Sequence, residues 1–127
     1  MFRSRKKKTY SEQLEQIEFF DYLKLAHKKY VGVCFSVPNE GKRTYACLNN
    51  LMQAGLTPGV PDVFCAIPNK HYSGLFIEFK YGKGKLSEYQ EKMIPALSDM
   101  GYRCDICYSS EDAIKIFNEY VSNIGNI

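Results

Sequence analysis

Asp62, Glu78 and Lys80 are the residues of this sequence whose types and spacing suit chemistry. They stand in Gly59-Val60-Pro61-Asp62 and Ile77-Glu78-Phe79-Lys80, sixteen residues apart from Asp62 to Glu78. In a strand, Glu78 and Lys80 project from one face while Ile77 and Phe79 face the other way. Charged side chains on so apolar a strand are costly unless they are paired or bind a metal. If Asp62 opens the neighbouring strand, two carboxylates and one ammonium converge at the edge of a sheet. Two carboxylates with a backbone carbonyl suit Mg²⁺ or Mn²⁺, which prefer hard oxygen donors. Such an ion lowers the pKa of a water and offsets charge building on a phosphate. A lysine alongside orients or deprotonates the nucleophile, or stabilises the pentavalent transition state. Spacing alone is equally compatible with a buried Glu–Lys pair and an Asp62 that caps a turn, because this pattern recurs by chance.

The elements that must position these groups are legible in outline. Thr9 or Ser11 caps a first helix running to about residue 30. At 100° per residue, Glu12, Glu15, Phe19, Tyr22, Leu23 and Ala26 share one face of it. Residues 31–37 are rich in strand formers and end at the turn Pro38-Asn39-Glu40-Gly41. Residues 43–54 suit a second helix closed by Gly55. Residues 60–67 and 75–81 read as strands joined with hairpin-like turn chemistry. Ser87-x-x-Gln90 is a capping box opening a helix that ends near Gly101, with Pro95 expected to kink or shorten it. Tyr89, Met93, Leu97 and Met100 form its apolar stripe. Residues 102–108 read as a strand. Ser109 or Ser110 then caps a last helix to about residue 122, with Ile114, Phe117 and Val121 facing inward. The order predicts an α/β domain, a mixed β-sheet flanked by helices.

Composition narrows the classes. Of the 127 residues, 45% are apolar and 18 are aromatic (Tyr 10, Phe 8), which argues against disorder and for one continuous core. No apolar run approaches the roughly 20 residues of a membrane-spanning helix, and the basic start lacks the apolar stretch of a secretory signal. These features point to a cytoplasmic protein with no membrane partner. Arg3, Arg5, Lys6, Lys7 and Lys8 carry five of the 17 basic residues, leaving 12 basic against 14 acidic afterwards. Residues 1–10 are therefore expected to form a flexible basic tail, a nucleic-acid arm or a solvated end, ahead of one domain over 11–127. Cys104 and Cys107 form a C-x-x-C with no second pair and no histidine at ligand spacing. Three residues apart on a strand they face opposite ways, so they read as small buried hydrophobes.

Several runs carry a resemblance. Gly55-Leu56-x-x-Gly59-Val60-Pro61-Asp62, Ile77-Glu78-Phe79-Lys80 and Leu86-Ser87-x-x-Gln90, in this order, resemble the virus-type replication-repair nuclease (VRR-NUC) domain of the PD-(D/E)XK superfamily. Val37-Pro38-Asn39-Glu40-Gly41-Lys42-Arg43 is similar to the family's Asn-Gly-Arg segment, and the likeness spans most of residues 11–120. It implies a restriction-endonuclease-like core that hydrolyses DNA phosphodiesters with Mg²⁺ or Mn²⁺. By that analogy Asp62, Glu78 and the Phe79 backbone carbonyl hold the metal, Lys80 is the catalytic lysine and Gln90 matches the motif glutamine. The family also places an acidic residue of the first helix near the metal. Glu12, Glu15 and Glu18 compete for it, with Glu15 favoured and Glu12 next, although first-turn glutamates also serve the helix dipole. Gln90 is explained equally by its capping box. Asn39, Lys42, Arg43, Lys83 and Lys85 are candidate DNA contacts that would position a backbone without reading sequence. The glycine-spaced Gly82-Lys83-Gly84-Lys85 permits close phosphate approach but lacks the spacing of a P-loop. Stand-alone virus-type members resemble homodimeric Holliday-junction resolvases. The expectation is thus a phage-type, structure-selective endonuclease, working as a homodimer on four-way junctions in the host cytoplasm. A monomeric flap or single-strand nuclease and a non-catalytic nucleic-acid-binding module are the alternatives.

Overall fold

The computed structural model describes the backbone of residues 2–38 and 44–125, and side chains from residue 11 onward within those limits. Four strands form one mixed sheet in the order β1 (Cys34–Ser36), β2 (Val63–Cys65), β3 (Gly74–Phe79) and β4 (Tyr102–Cys107). The first three are antiparallel neighbours, whereas β3 and β4 run parallel. Parallel partners cannot be joined by a tight turn. The chain crosses between them through helix α3 (Glu88–Asp99).

Strand β3 is buried along its whole length, as a central strand covered on both faces should be. Its Leu75, Ile77 and Phe79 join the core with Phe19 and Leu23 of α1 (Phe2–Ala26) and Ala113, Phe117 and Tyr120 of α4 (Ser110–Ser122). The Phe19 ring lies 6.1 Å from Phe79 and 5.8 Å from Phe117, which locks α1 against both sheet and α4. Tyr120 is buried without cost to its hydroxyl, which donates to the Ile67 carbonyl at 2.6 Å. The opposite face of the sheet carries an aromatic row: Phe35, Phe64, Phe76 and Tyr102 pack ring to ring at 4.5–5.8 Å in strand order.

The elements match the sequence reading in type and order, with shifted boundaries. Helix α1 starts at Phe2, because Lys and Arg are good helix formers and no glycine or proline precedes Thr9. It ends at Ala26, and a 3₁₀ turn over Lys28–Tyr30 completes the expected span. Helix α3 runs through Pro95 to Asp99, and Pro95 sits on the exposed side, where the carbonyl that loses its donor is open to solvent. Its expected stripe is rotated. Tyr89 and Met100 are 63% and 73% exposed, and Gln90 is buried instead. Cys107 is buried in the core, whereas Cys104 is half-buried with its thiol toward the Ile94 carbonyl. Among the described residues no helix is long and apolar enough to cross a membrane.

Helix α2 (Tyr45–Gln53) stands apart. Thr44 caps it by accepting from the Cys47 amide, yet none of its residues is buried.

Candidate active site

The site is assembled at the start of β2, the end of β3 and the start of α3. Glu78 shares the outer face of β3 with Phe76, and there it is only 2% exposed. Asp62 stands just before β2, opposite Glu78. The two segments are stitched by reciprocal bonds: the Asp62 amide donates to Glu78 Oε1 at 3.2 Å, and the Phe79 amide donates to Asp62 Oδ2 at 2.8 Å. Each carboxylate is therefore aimed by the backbone of the other's strand.

The second oxygen of Glu78 has two further partners. Gln90 Nε2 donates to Oε2 at 2.7 Å, and Lys80 Nζ stands 3.3 Å from the same atom. Gln90 also accepts from the Ser87 amide at 2.9 Å while its own amide donates to Ser87 Oγ at 3.2 Å. One side chain thus closes the capping box and holds the buried carboxylate, so the two explanations offered for Gln90 are combined in it. Gly59 makes this seating possible. Its φ is +95°, and a Cβ there would lie 2.5 Å from the Tyr89 carbonyl oxygen and 3.0 Å from the Gln90 amide nitrogen. Any side chain at position 59 would push α3, and Gln90 with it, off Glu78. This role escaped the sequence reading, although the glycine heads the Gly-Val-Pro-Asp run.

Burial first, and the Asp62 charge second, push the Glu78 carboxyl up to about 8, against the pull of Lys80 and Gln90. Burial and the neighbouring carboxylate both disfavour a second negative charge here. Oxygen donors in that condition fit a hard divalent cation. Among the described residues no three His, Cys, Asp or Glu side chains gather as a ligand group, so Asp62 and Glu78 are the carboxylates the fold offers. Glu15 is engaged by the start of α4. Its Oε1 accepts from the Ser110 amide at 2.6 Å, and Glu18 Oε2 accepts from Ser110 Oγ at 2.9 Å.

A VRR-NUC domain family model matches residues 12–111. The chain belongs to the VRR-NUC family. This is a nuclease family that generally uses divalent metals. A solved structure described as a VRR_NUC domain protein superposes with a TM-score of 0.73 at 21% identity, covering 87% of this chain and 88% of its own. That likeness establishes the fold. No curated protein matches the sequence.

Within the VRR-NUC frame, the structure brings Asp62, Glu78, Lys80 and Gln90 together, with the Phe79 peptide among them. It takes Glu15 to the N-terminus of α4, where it satisfies an amide that has no partner within its helix. Lys83 and Lys85 are exposed on the loop that follows Lys80. That loop is closed by the Gly84 amide donating to the Tyr81 carbonyl, and by the Tyr108 hydroxyl donating to the Gly84 carbonyl at 3.3 Å. Asn39, Lys42 and Arg43 lie outside the described residues.

Proposed function

We propose that this VRR-NUC chain is a divalent-metal-dependent, structure-selective DNA endonuclease acting as a homodimer on four-way junctions. The observation that carries the nuclease site is Glu78, buried, paired with Asp62 and touched by both Lys80 and Gln90. In this reading Asp62, Glu78 and the Phe79 carbonyl hold Mg²⁺ or Mn²⁺. The ion supplies a lowered pKa for the attacking water and neutralises charge on the phosphate. Lys80, 3.3 Å from Glu78 Oε2, would orient the attacking water or stabilise the pentavalent phosphorus. Gln90 fixes the Glu78 rotamer. Lys83 and Lys85, with Asn39, Lys42 and Arg43, hold backbone phosphates. Glu15 Oε1 accepts from the Ser110 amide, so in this reading Glu15 also anchors α4.

Helix α2 supports the dimer. Tyr45, Leu48, Leu51 and Met52 are exposed on it, and residues 44–61 carry no charge. An isologous contact sets a surface against itself, so like charges would repel and a neutral apolar helix would not. A C₂ pair presents two sites to opposed strands, as symmetric junction cleavage requires.

The test is a labelled immobile four-way junction with Mg²⁺ or Mn²⁺, beside flap, duplex and single-stranded DNA, and with the mass of the protein in solution. Paired symmetric nicks and a dimeric mass support the proposal. Cleavage of flaps alone by a monomer leaves a nuclease and discards the resolvase. DNA binding without cleavage of any substrate leaves a binding module and removes the catalytic roles.

A further inference from the structure

Two large exposed aromatic side chains neighbour the site residues in sequence, and among the described residues neither ring packs against another. Tyr81 follows Lys80 and is 52% exposed; Tyr89 precedes Gln90 and is 63% exposed. Each is thus one residue from a side chain lying within 3.3 Å of Glu78 Oε2. Tyr22, Tyr30, Tyr72, Tyr102 and Tyr120 all pack against other rings. Among the described residues neither Tyr81 nor Tyr89 does so. Both stand on fixed backbone. Tyr81 begins the turn closed by Gly84, and Tyr108 ties that turn to the end of β4. Tyr89 lies in the first turn of α3, whose backbone is seated directly on Gly59. Lys83 and Lys85 extend from the same turn as Tyr81.

Exposed rings on rigid backbone, beside lysines that suit a phosphate chain, form the combination that binds single-stranded nucleic acid: cations track the backbone and bases stack on the rings. Tyrosine offers a broad contact face at the entropy cost of two side-chain torsions. A base inside a paired, stacked duplex hides both of its faces and cannot use these rings. We infer that Tyr81 and Tyr89 stack unpaired bases, so that the site takes a phosphodiester flanked by unpaired nucleotides in preference to one inside continuous duplex. The inference rests on the nuclease reading for its location and names the DNA class that this same site accepts. Branch points and flaps both supply such nucleotides. Tyr108, half-exposed with its hydroxyl committed to Gly84, positions the lysine turn.

Binding of the full chain in EDTA separates recognition from cutting. The probes are a fluorescent flap DNA with 2-aminopurine at the first unpaired position and a fully paired duplex of the same sequence. Wild-type protein is expected to quench the 2-aminopurine on binding the flap. Tyr81→Ala and Tyr89→Ala are each expected to weaken flap binding about tenfold and relieve the quenching, leaving duplex binding within about twofold. Tyr81→Phe and Tyr89→Phe keep the ring and should behave as wild type. Because both side chains are more than half exposed, the alanine proteins should melt with the wild type, which a thermal scan checks. Alanine variants that bind and quench as wild type overturn the inference, as does an equal loss for flap and duplex. So does a wild-type protein that binds neither DNA. Quenching in EDTA without cleavage in Mn²⁺ would sink the nuclease reading and leave stacking standing. Intact cleavage with no flap preference would do the reverse.

Discussion

Two pairs of carboxylates, one on α1 and one at β2 and β3, are treated in opposite ways. Glu15 and Glu18 receive the amide and hydroxyl of Ser110, neutral donors at the positive end of α4. Their charge is answered where it stands. Asp62 and Glu78 face each other, and Glu78 is so buried that its carboxyl is pushed up to about 8 despite Lys80 and Gln90. That pair has backbone donors that fix its direction, and burial opposes the charged form of Glu78. The difference separates carboxylates that tie α1 to α4 from a pair that meets across two chain segments beside Lys80 and Gln90.

The sharpest way to break this contrast is to neutralise one member of each pair. Glu78→Gln is expected to lower the single-turnover rate of DNA cleavage by about a thousandfold, the scale of combined acid–base and electrostatic catalysis. Glu15→Gln, measured beside it, should change the rate by less than about fivefold, because no reacting atom depends on it. Equal losses would erase the distinction. Gly59→Ala comes next. It should destabilise the chain by roughly 1–3 kcal/mol in urea unfolding, through overpacking against α3 and strain at positive φ. Cleavage should fall even where the protein remains folded, since the displaced helix carries Gln90.

Protons offer a finer test. With its carboxyl at about 8, Glu78 is mostly protonated at pH 7 in metal-free protein. Mn²⁺ binding, followed calorimetrically in buffers of different ionisation enthalpy, should release about one proton at pH 7 and almost none near pH 9.5. Glu15→Gln should leave that release intact, while Glu78→Gln should abolish it. The same group sets a pH dependence of stability. Its folded value of about 8 exceeds the ordinary 4.5, so between these limits the folded chain holds more protons than the unfolded one. The Glu78 contribution is complete below about pH 4.5 and is lost as pH rises through 8. The wild type minus Glu78→Gln difference, in EDTA, should therefore decline over that interval. The smallest effect is expected of Glu15→Ala, about 1 kcal/mol of stability through loss of one helix-end amide partner.

Much of the fold was legible because its strands and caps are locally determined. The apolar run of β3 leaves Glu78 as an anomaly that only a partner or a metal explains. The Ser87–Gln90 box fixes the start of α3 without tertiary help. Three features needed the third dimension. Glu15 and Glu12 look alike on a helical wheel, and only the packing of α4 decides that Glu15 meets Ser110. The rotation of α3, which exposes Tyr89 and buries Gln90, follows from the bond between Gln90 and Glu78, a preference no apolar stripe encodes. The seat beneath α3 required the contact of Gly59 with the Tyr89 backbone, which spacing does not show.

The central claim is that Asp62, Glu78 and Lys80 form a metal-dependent nuclease site, and Lys80 is its most direct test. Single-turnover cleavage of junction and flap DNA should be followed for wild type and Lys80→Ala, each with Mn²⁺ and with EDTA. The account predicts cleavage by wild type in Mn²⁺ alone, with Lys80→Ala slower by about a hundredfold or more, while both proteins bind Mn²⁺. Cleavage that persists in EDTA, or that proceeds at wild-type rate in Lys80→Ala, would contradict it.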